Sequence, residues 1–305
     1  MRLGVLDVGS NTIHLQVVDT HYGARPIPTF NYKEELRLTQ YLLPNNHISP
    51  DGINALDSSI KRCLAQANTA GTEELLPFAT SALREASNGK EIIDFVNKQN
   101  EIDLQVLSGE EEAKLTFLAA RRWFGWSAGR LLMIDIGGGS LEFAVGIDES
   151  PEISISLPLG AGRLTQNFLE GDPFTTKSIR NLRDHIENQL EAVLSPMVHH
   201  EAADRAIGTS KTLRTLARLC GDFFNTNSKI IEIDALRKVV GKLSDMNLEE
   251  RAKLPGVSNN RATQIVAGAF VAESVMRNLD IEKVEICPWA LREGLILRFM
   301  DWSEK

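Results

Sequence analysis

Two short stretches of this chain combine carboxylates, glycines and hydroxyl side chains in the same order. Asp7-Val8-Gly9-Ser10-Asn11-Thr12 and Asp135-Ile136-Gly137-Gly138-Gly139-Ser140 each end an apolar run in aspartate. A glycine turn with hydroxyl residues follows, and then a second apolar run. Such a grouping suits phosphate. Glycine lets the backbone come close and take unusual angles, and successive N–H groups in a turn form an anion nest. Two opposed carboxylates, Asp7 and Asp135, would hold Mg²⁺ directly or through its waters while the turns grip phosphates. A lone Asp-x-Gly turn is ordinarily a plain hairpin; the repetition with hydroxyl residues favours binding. Neither turn follows the GxxxxGK[ST] loop or the GxGxxG spacing.

Other polar residues are less telling on their own. Glu110-Glu111-Glu112 opens a helix, where carboxylates are stabilised by the helix dipole, so spacing alone reads as capping. Arg84 reads by itself as a surface helix residue. Arg84, Arg121, Arg122, Arg130, Arg163, Lys211, Arg214 and Arg292 are candidates for a local basic track, although most read as a solvated face. His14, His21, His47, His185, His199 and His200 show no HxxxH or HExxH spacing that would suit a metal. No serine, cysteine or histidine sits in a recognisable nucleophile motif. Trp123, Trp126, Trp289 and Trp302 read as packing residues, and Cys287-Pro288-Trp289 as the end of a buried strand.

The elements that must position these residues alternate between strand and helix, the α/β signature. Arg2 to Val18 reads as strand, tight turn, strand. Ser49-Pro50-Asp51 starts a helix in which Ile53, Leu56, Ile60, Leu64 and Ala67 recur at helical spacing until Gly71. A strand at Leu75 to Ala79 leads to Thr80-Ser81, which can cap a helix running toward Asn88. A helix at Glu91 to Lys98, a strand at Leu104 to Leu107 and a helix from Glu110 to about Trp123 follow. Phe124 to Gly129 breaks the pattern, which places a domain boundary after residue 126. Strands at Leu131 to Asp135, Leu141 to Ile147 and Ile153 to Leu157 come next. The rest is mostly helical, including Thr175 to Leu194 and Arg261 to Leu279, with strands at Ala203 to Ile207 and Val284 to Cys287. The echo between Asp7 to Thr12 and Asp135 to Ser140 suggests two similar halves facing each other across a cleft.

Composition bounds the function. The 305 residues are 43% hydrophobic and 24% charged, an ordinary globular balance. Net charge is −8, which argues against general nucleic-acid binding. Three scattered cysteines form no CxxC pair, so neither a disulfide framework nor a zinc site is expected, and a reduced compartment fits. The start of the chain lacks a signal-peptide layout, and its longest apolar runs fall short of a membrane span. Cytoplasm is the expected location.

Five motifs in order resemble those of the exopolyphosphatase/pppGpp-phosphatase family. They are Asp7 to Thr12, Ala79-Thr80-Ser81-Ala82-Leu83-Arg84, Gly109-Glu110-Glu111-Glu112-Ala113, Asp135 to Glu142, and Trp289-Ala290-Leu291-Arg292-Glu293-Gly294. The likeness spans essentially the whole chain. It implies the actin-like ATPase (ribonuclease H-like) fold: two related α/β domains, residues 1–126 and 127–305, with phosphates held in the cleft between them. The last helix is a candidate to pack back on the first domain.

By the same resemblance, Gly9, Ser10 and Asn11 form the first phosphate loop, and Gly137, Gly138, Gly139 and Ser140 the second. Asp7, Asp135 and Glu142 serve a Mg²⁺ site, with a monovalent ion such as K⁺ a second candidate. Arg84 reaches substrate phosphate and Glu112 is the base that activates water. The implied activity is stepwise removal of the terminal phosphate from inorganic polyphosphate. The alternatives are guanosine pentaphosphate or another nucleoside triphosphate as substrate, an acetate- or sugar-kinase-like phosphotransferase, and a non-catalytic nucleotide sensor. Two departures stand out: Leu141 replaces the family's threonine, and Gly208-Thr209-Ser210 stands where Gly-Gly-Thr is commoner. Gly208, Thr209 and Ser210 are a candidate nucleotide or substrate loop, but Thr209 lacks glycine's freedom for close approach, which weakens the case for a nucleotide. The chain reads as the short, two-domain form, with a homodimer expected and neither nucleic acid nor membrane as partner.

Overall fold

The computed structural model of the protein describes residues 1–21, 23, 25–198 and 203–302; His199 and His200 lie outside the described residues. Packing divides the chain into two compact units, Met1–Leu115 with Leu291–Lys305, and Thr116–Ala290. The breaker after Phe124 is a short 3₁₀ turn, Trp126–Ala128, flanked by Gly125 and Gly129 at φ 74° and 67°. The division itself falls eleven residues earlier than the turn chemistry suggests, inside a helix. Glycine turns mark where a chain bends, whereas a unit is set by which apolar faces share a core. Leu115 packs with Leu3, Val5 and Leu295.

The first unit is built on a sheet ordered β3-β2-β1-β4-β5. Its strands are β1 (Arg2–Val8), β2 (Thr12–Asp19), β3 (Pro28–Glu35), β4 (Glu74–Ala79) and β5 (Gln105–Val106). β1, β2 and β3 run antiparallel in sequence order, while β4 joins β1 in parallel and β5 joins β4 in parallel. Alternation along β1 sends Leu6 and Val8 into one core and Leu3 and Val5 into the other, so both faces of the strand are covered. Helix α1 (Pro50–Thr69) starts where Ser49 Oγ accepts from the Gly52 N–H at 3.3 Å. Its Leu56, Ile60, Cys63 and Ala67 make a buried stripe against the sheet. Three more helices follow: α2 (Ser81–Glu85) after β4, α3 (Gly89–Asn100) after α2, and α4 (Gly109–Phe124) after β5.

The second unit repeats this strand order. Its strands are β6 (Leu131–Ile136), β7 (Leu141–Gly146), β8 (Ile153–Leu157), β9 (Arg205–Gly208), β10 (Ile230–Glu232) and β11 (Lys283–Ile286). The sheet reads β8-β7-β6-β9-β11-β10, again an antiparallel trio followed by parallel additions, with β10 an extra antiparallel edge. Around it lie α5 (Ala161–Phe168), α6 (Thr176–Val198), α7 (Lys211–Phe224), α8 (Ile233–Asp245), α9 (Leu248–Ala252) and α10 (Asn259–Asn278). Helix α10 is buried almost all round, through Ile265, Val266, Phe270, Val271 and Met276 among others, as a central helix must be. The three cysteines are buried and stand outside any disulfide, and desolvation pushes Cys63 and Cys220 up to about 12. The tryptophans divide. Trp123 and Trp289 pack edge to face at 5.3 Å, but Trp126 and Trp302 are exposed, each under an arginine, so packing was the wrong reading for that pair.

The Trp289 to Gly294 motif does structural work at its end. The C-terminal helix, Leu291–Trp302, lies against α4 so closely that a Cβ on Gly294 would meet the Leu115 carbonyl oxygen at 2.0 Å. Glu293 beside it is buried and accepts from Gln16 Nε2 at 3.4 Å. A methyl group cannot be fitted without parting the two helices. Gly294→Ala is expected to destabilise by roughly 1–3 kcal/mol or more, seen as a lower urea midpoint with an unchanged slope.

Candidate active site

In the first unit β1, β4 and β5 are parallel, so their carboxyl ends align: Val8 lies opposite Ala79, and Ala79 opposite Val106. Ligands of open α/β sheets bind outside such an edge. Three segments leave it. After β1, which carries Asp7, the Gly9 N–H donates to the Thr12 carbonyl at 3.0 Å and closes the turn. The Ser10 carbonyl accepts from the Leu38 N–H at 2.8 Å, and the Asn11 carbonyl from the Leu36 and Arg37 N–H groups at 3.0 Å each. The N–H groups of Ser10 and Asn11 have no protein acceptor among the described residues.

After β4, Ser81 places its Oγ 3.2 Å from Ser10 Oγ, and Arg84 follows on the short helix α2. After β5, the Leu107 N–H donates to the Ala79 carbonyl at 3.0 Å, and the Leu107 carbonyl accepts from Arg84 Nη1 at 2.7 Å. The same Nη1 meets Glu112 Oε1 in an ion pair. The structure thus joins Ser10, Ser81, Arg84 and Glu112, which the sequence spreads over about a hundred residues.

The three glutamates of the Glu110 run take three different tasks. Glu110 pairs with Lys114 one turn on, at 2.6 Å. Glu111 caps α4, its Oε2 accepting from both the N–H and the hydroxyl of Ser108 at 2.9 Å, and these bonds hold its carboxyl below the ordinary range. Glu112 points inward, 8% exposed, onto Arg84. Capping accounts for Glu111; it does not account for Glu112.

In the second unit Asp135 on β6 stands directly opposite Glu142 on β7. The turn between them is closed by the Gly137 N–H donating to the Ser140 carbonyl at 2.9 Å, the same bond that closes the first turn. Every glycine carbonyl of this turn is taken by the start of α5. Gly137 accepts from Ala161 at 3.0 Å, Gly138 from Gly162 and Arg163 at 2.9 and 3.0 Å, and Gly139 from Gly160 at 3.3 Å. Arg163 Nε adds a bond to the Gly139 carbonyl at 2.8 Å. The N–H groups of Gly138, Gly139 and Ser140 have no protein acceptor among the described residues. Donors left over on a turn whose acceptors are all used make an anion nest.

Gly160 is the residue that sequence reasoning passed over here. Its Cβ would fall 2.2 Å from the Gly139 carbonyl carbon and 2.3 Å from the Ser140 nitrogen. The signal was present in Gly160-Ala161-Gly162, but nothing local says which turn those glycines must approach. Gly208 ends β9, and Thr209 and Ser210 follow it: the Thr209 hydroxyl donates to Asp135 Oδ2 at 2.5 Å, and Ser210 caps α7 by accepting from the Leu213 N–H at 3.2 Å. Of the candidate basic track, Arg121 is buried and donates to the carbonyls of Gly125, Gly129 and Gly146. Arg130 is also buried and pairs with Glu152, and Arg122 pairs with Glu149. Arg121 and Arg130 are therefore internal fasteners of the second unit rather than a solvated face.

Comparison with known proteins gives the family. The model of the Ppx/GppA phosphatase family matches residues 17–302. The chain belongs to that family. Exopolyphosphatase 1 of Mycobacterium tuberculosis is 49% identical over 99% of this chain and 89% of its own length, and exopolyphosphatase 1 of Mycobacterium leprae is 48% identical over 99% and 90%. Among solved structures, an exopolyphosphatase from Cytophaga hutchinsonii superposes with a TM-score of 0.85 at 25% identity, covering 99% of this chain and 98% of that one. The Aquifex aeolicus Ppx/GppA family member gives 0.83 at 22% identity over 100% and 99%. The fold is that of these Ppx/GppA proteins, mixed α/β and actin-like, as the ordered motifs imply.

The donor chemistry of the site can be tested against the metal that the family implies. Among the described residues no group of three or more His, Cys, Asp or Glu side chains is placed to hold an ion. Asp135 and Glu142 supply two opposed carboxylates, and Asp7 occupies the matching place on β1. Oxygen donors in small number suit Mg²⁺, which keeps several waters and relies on one or two carboxylates plus substrate phosphates.

Burial pushes the Asp135 carboxyl above its ordinary value, opposed by the Thr209 hydroxyl and the charge of Arg214. A carboxyl raised in the folded state costs nothing while protonated. The cost grows as pH rises through the ordinary value, 3.8, toward the folded one. Asp135→Asn keeps an oxygen for Thr209 and removes the charge. Without divalent cations it should match the parent in urea denaturation below that range and be the more stable protein at pH 8.

Proposed function

We propose that this protein is an exopolyphosphatase that removes the terminal phosphate of inorganic polyphosphate by Mg²⁺-dependent hydrolysis. The observation that carries the reading is the pairing of half-buried Arg84 with buried Glu112 at the carboxyl edge of the first sheet, on the segments that follow β4 and β5. A phosphoanhydride hydrolase needs a cation for the terminal phosphate and a base for water, and this pair supplies both. The relatives named exopolyphosphatase 1, nearly half identical along almost the whole chain, support the substrate class.

Glu112 takes a proton from the attacking water. Arg84 offers a planar fork suited to bidentate phosphate contact. A terminal phosphate that reaches Arg84 competes with Glu112 for the guanidinium. As that pairing loosens, the Glu112 carboxylate is released to accept from the attacking water. In the first unit the N–H groups of Ser10 and Asn11 would hold phosphate oxygens, and in the second unit those of Gly138, Gly139 and Ser140 would do the same. In the second unit Asp135 and Glu142 would hold Mg²⁺, and the ion would neutralise charge on phosphoryl oxygens. By resemblance to the family, the protein acts as a homodimer in the cytoplasm; among the described residues no helix is long and apolar enough to cross a membrane.

Phosphate release by the purified protein with Mg²⁺ tests the reading, with long polyphosphate, short polyphosphate, guanosine pentaphosphate, ATP and ADP compared side by side. Polyphosphate is expected to be hydrolysed fastest. A preference for guanosine pentaphosphate would move the substrate within the class, and no release from any of them would end the hydrolase reading. Glu112→Gln should lower kcat by about 10²- to 10⁴-fold, and a full rate in that variant would remove Glu112 from the role of base.

A further inference from the structure

A row of four oxygen-bearing side chains crosses the second sheet. Its strands are ordered β9-β6-β7-β8 at this point, and the row runs Thr209, Asp135, Glu142, Ser156. Asp135 and Glu142 are register partners, as are Glu142 and Ser156. Thr209 follows Gly208, which is paired with Ile134, and so comes level with Asp135. The inner pair are carboxylates and the outer pair hydroxyls. Each hydroxyl donates to the carboxylate beside it: Thr209 Oγ1 to Asp135 Oδ2 at 2.5 Å, and Ser156 Oγ to Glu142 Oε1 at 3.0 Å.

The Thr209 bond is not an accident of packing. Its side chain is fully buried, and its backbone N–H is fixed to the Ile134 carbonyl at 3.2 Å. The hydroxyl has one proton and two oxygens within reach, the Ile134 carbonyl at 3.4 Å and the carboxylate at 2.5 Å. The nearer, charged acceptor takes it. Like charges directly opposite on neighbouring strands repel, so Asp135 and Glu142 would turn away from each other if nothing held them. A neutral donor on the far side of each fixes the carboxylate without cancelling its charge. A lysine or arginine there would cancel the charge that a cation needs.

We propose that Thr209 and Ser156 are positioning residues, a pair of hydroxyl clamps that hold Asp135 and Glu142 as oriented oxygen ligands for a divalent cation. The proposal rests on the reading of those two carboxylates as a Mg²⁺ site. It also gives Thr209 a task of its own, in a position where glycine could not do it. Groups behind metal ligands commonly set affinity in this way.

The test uses Mn²⁺ as the probe, titrated into substrate-free protein and followed by the loss of the free-ion electron paramagnetic resonance signal. Thr209→Val keeps the shape and removes the donor; Thr209→Ser keeps the donor; Ser156→Ala removes the second clamp at a less buried position. Thr209→Val and Ser156→Ala are expected to weaken Mn²⁺ binding by about 10-fold or more, with Thr209→Ser near the parent. The Mg²⁺ concentration for half-maximal phosphate release should rise in step, with kcat at saturating Mg²⁺ less affected. Equal Mn²⁺ affinity in the parent, Thr209→Val and Ser156→Ala would overturn the clamp while leaving the cation site standing. Loss of binding in Thr209→Val and Thr209→Ser alike, with Ser156→Ala unchanged, would reduce Thr209 to a packing residue. A parent protein that binds no Mn²⁺ would overturn the cation reading and the clamp together.

Discussion

In a run of glycines the N–H and C=O groups alternate, so a turn that grips phosphate must first have its carbonyls drawn away. Everything at the second turn depends on that asymmetry. The start of α5 takes the carbonyls of Gly137, Gly138 and Gly139, and it reaches them only because Gly160 has no side chain. The first turn meets the same requirement with a different segment, residues 36–38, whose N–H groups donate to the Ser10 and Asn11 carbonyls. Two unrelated backbone segments solve one electrostatic problem, and in each unit the donors of the turn are what is left over.

Charge is handled with similar separation of duties. Three consecutive glutamates would repel if they shared a place, and the helix start distributes them to a surface lysine, to the cap and to Arg84. In the second unit Asp135 and Glu142 each accept a hydrogen bond from a neutral hydroxyl, that of Thr209 and that of Ser156. A carboxylate on an arginine is held by charge, whereas one on a hydroxyl is held by a hydrogen bond alone. The choice of partner fits the task proposed for each group. Arg121 and Arg130 belong to a different economy: buried, bonded to carbonyls or to Glu152, they fasten loops and strands of the second unit.

Much of this was legible in the sequence because it is local. The hairpins β1–β2 and β6–β7 announce themselves as apolar runs around a glycine turn, and α1 carries both its cap and its stripe. Strand β3 was not foreseen. It is an edge strand with Thr29, Asn31, Lys33 and Glu35 exposed, which leaves Phe30 and Tyr32 as almost its whole apolar signal. What spacing could not give is the meeting of distant segments. Arg84 finds Glu112 only because β4 and β5 lie side by side, and Thr209 finds Asp135 only because β9 joins β6. Read alone, Arg84 was a surface residue and Glu112 a cap; the ordered motifs assigned them roles, and the sheet supplies the reason they touch.

The register of β6 against β7 has a consequence for how this chain tolerates change. Side chains of a strand alternate between faces, so a slip of one residue would carry Glu142 to the other side of the sheet and bring Leu141 or Phe143 beside Asp135. The closing bond from Gly137 to Ser140 fixes that register from the turn itself. The loop that holds the anion is therefore also the ruler that measures out the hairpin. Lengthening it by a single residue would damage the chemistry twice, once by spoiling the nest and once by sending a carboxylate to the wrong address. Such a site is constrained in the length of its turn as strictly as in the identity of its two carboxylates.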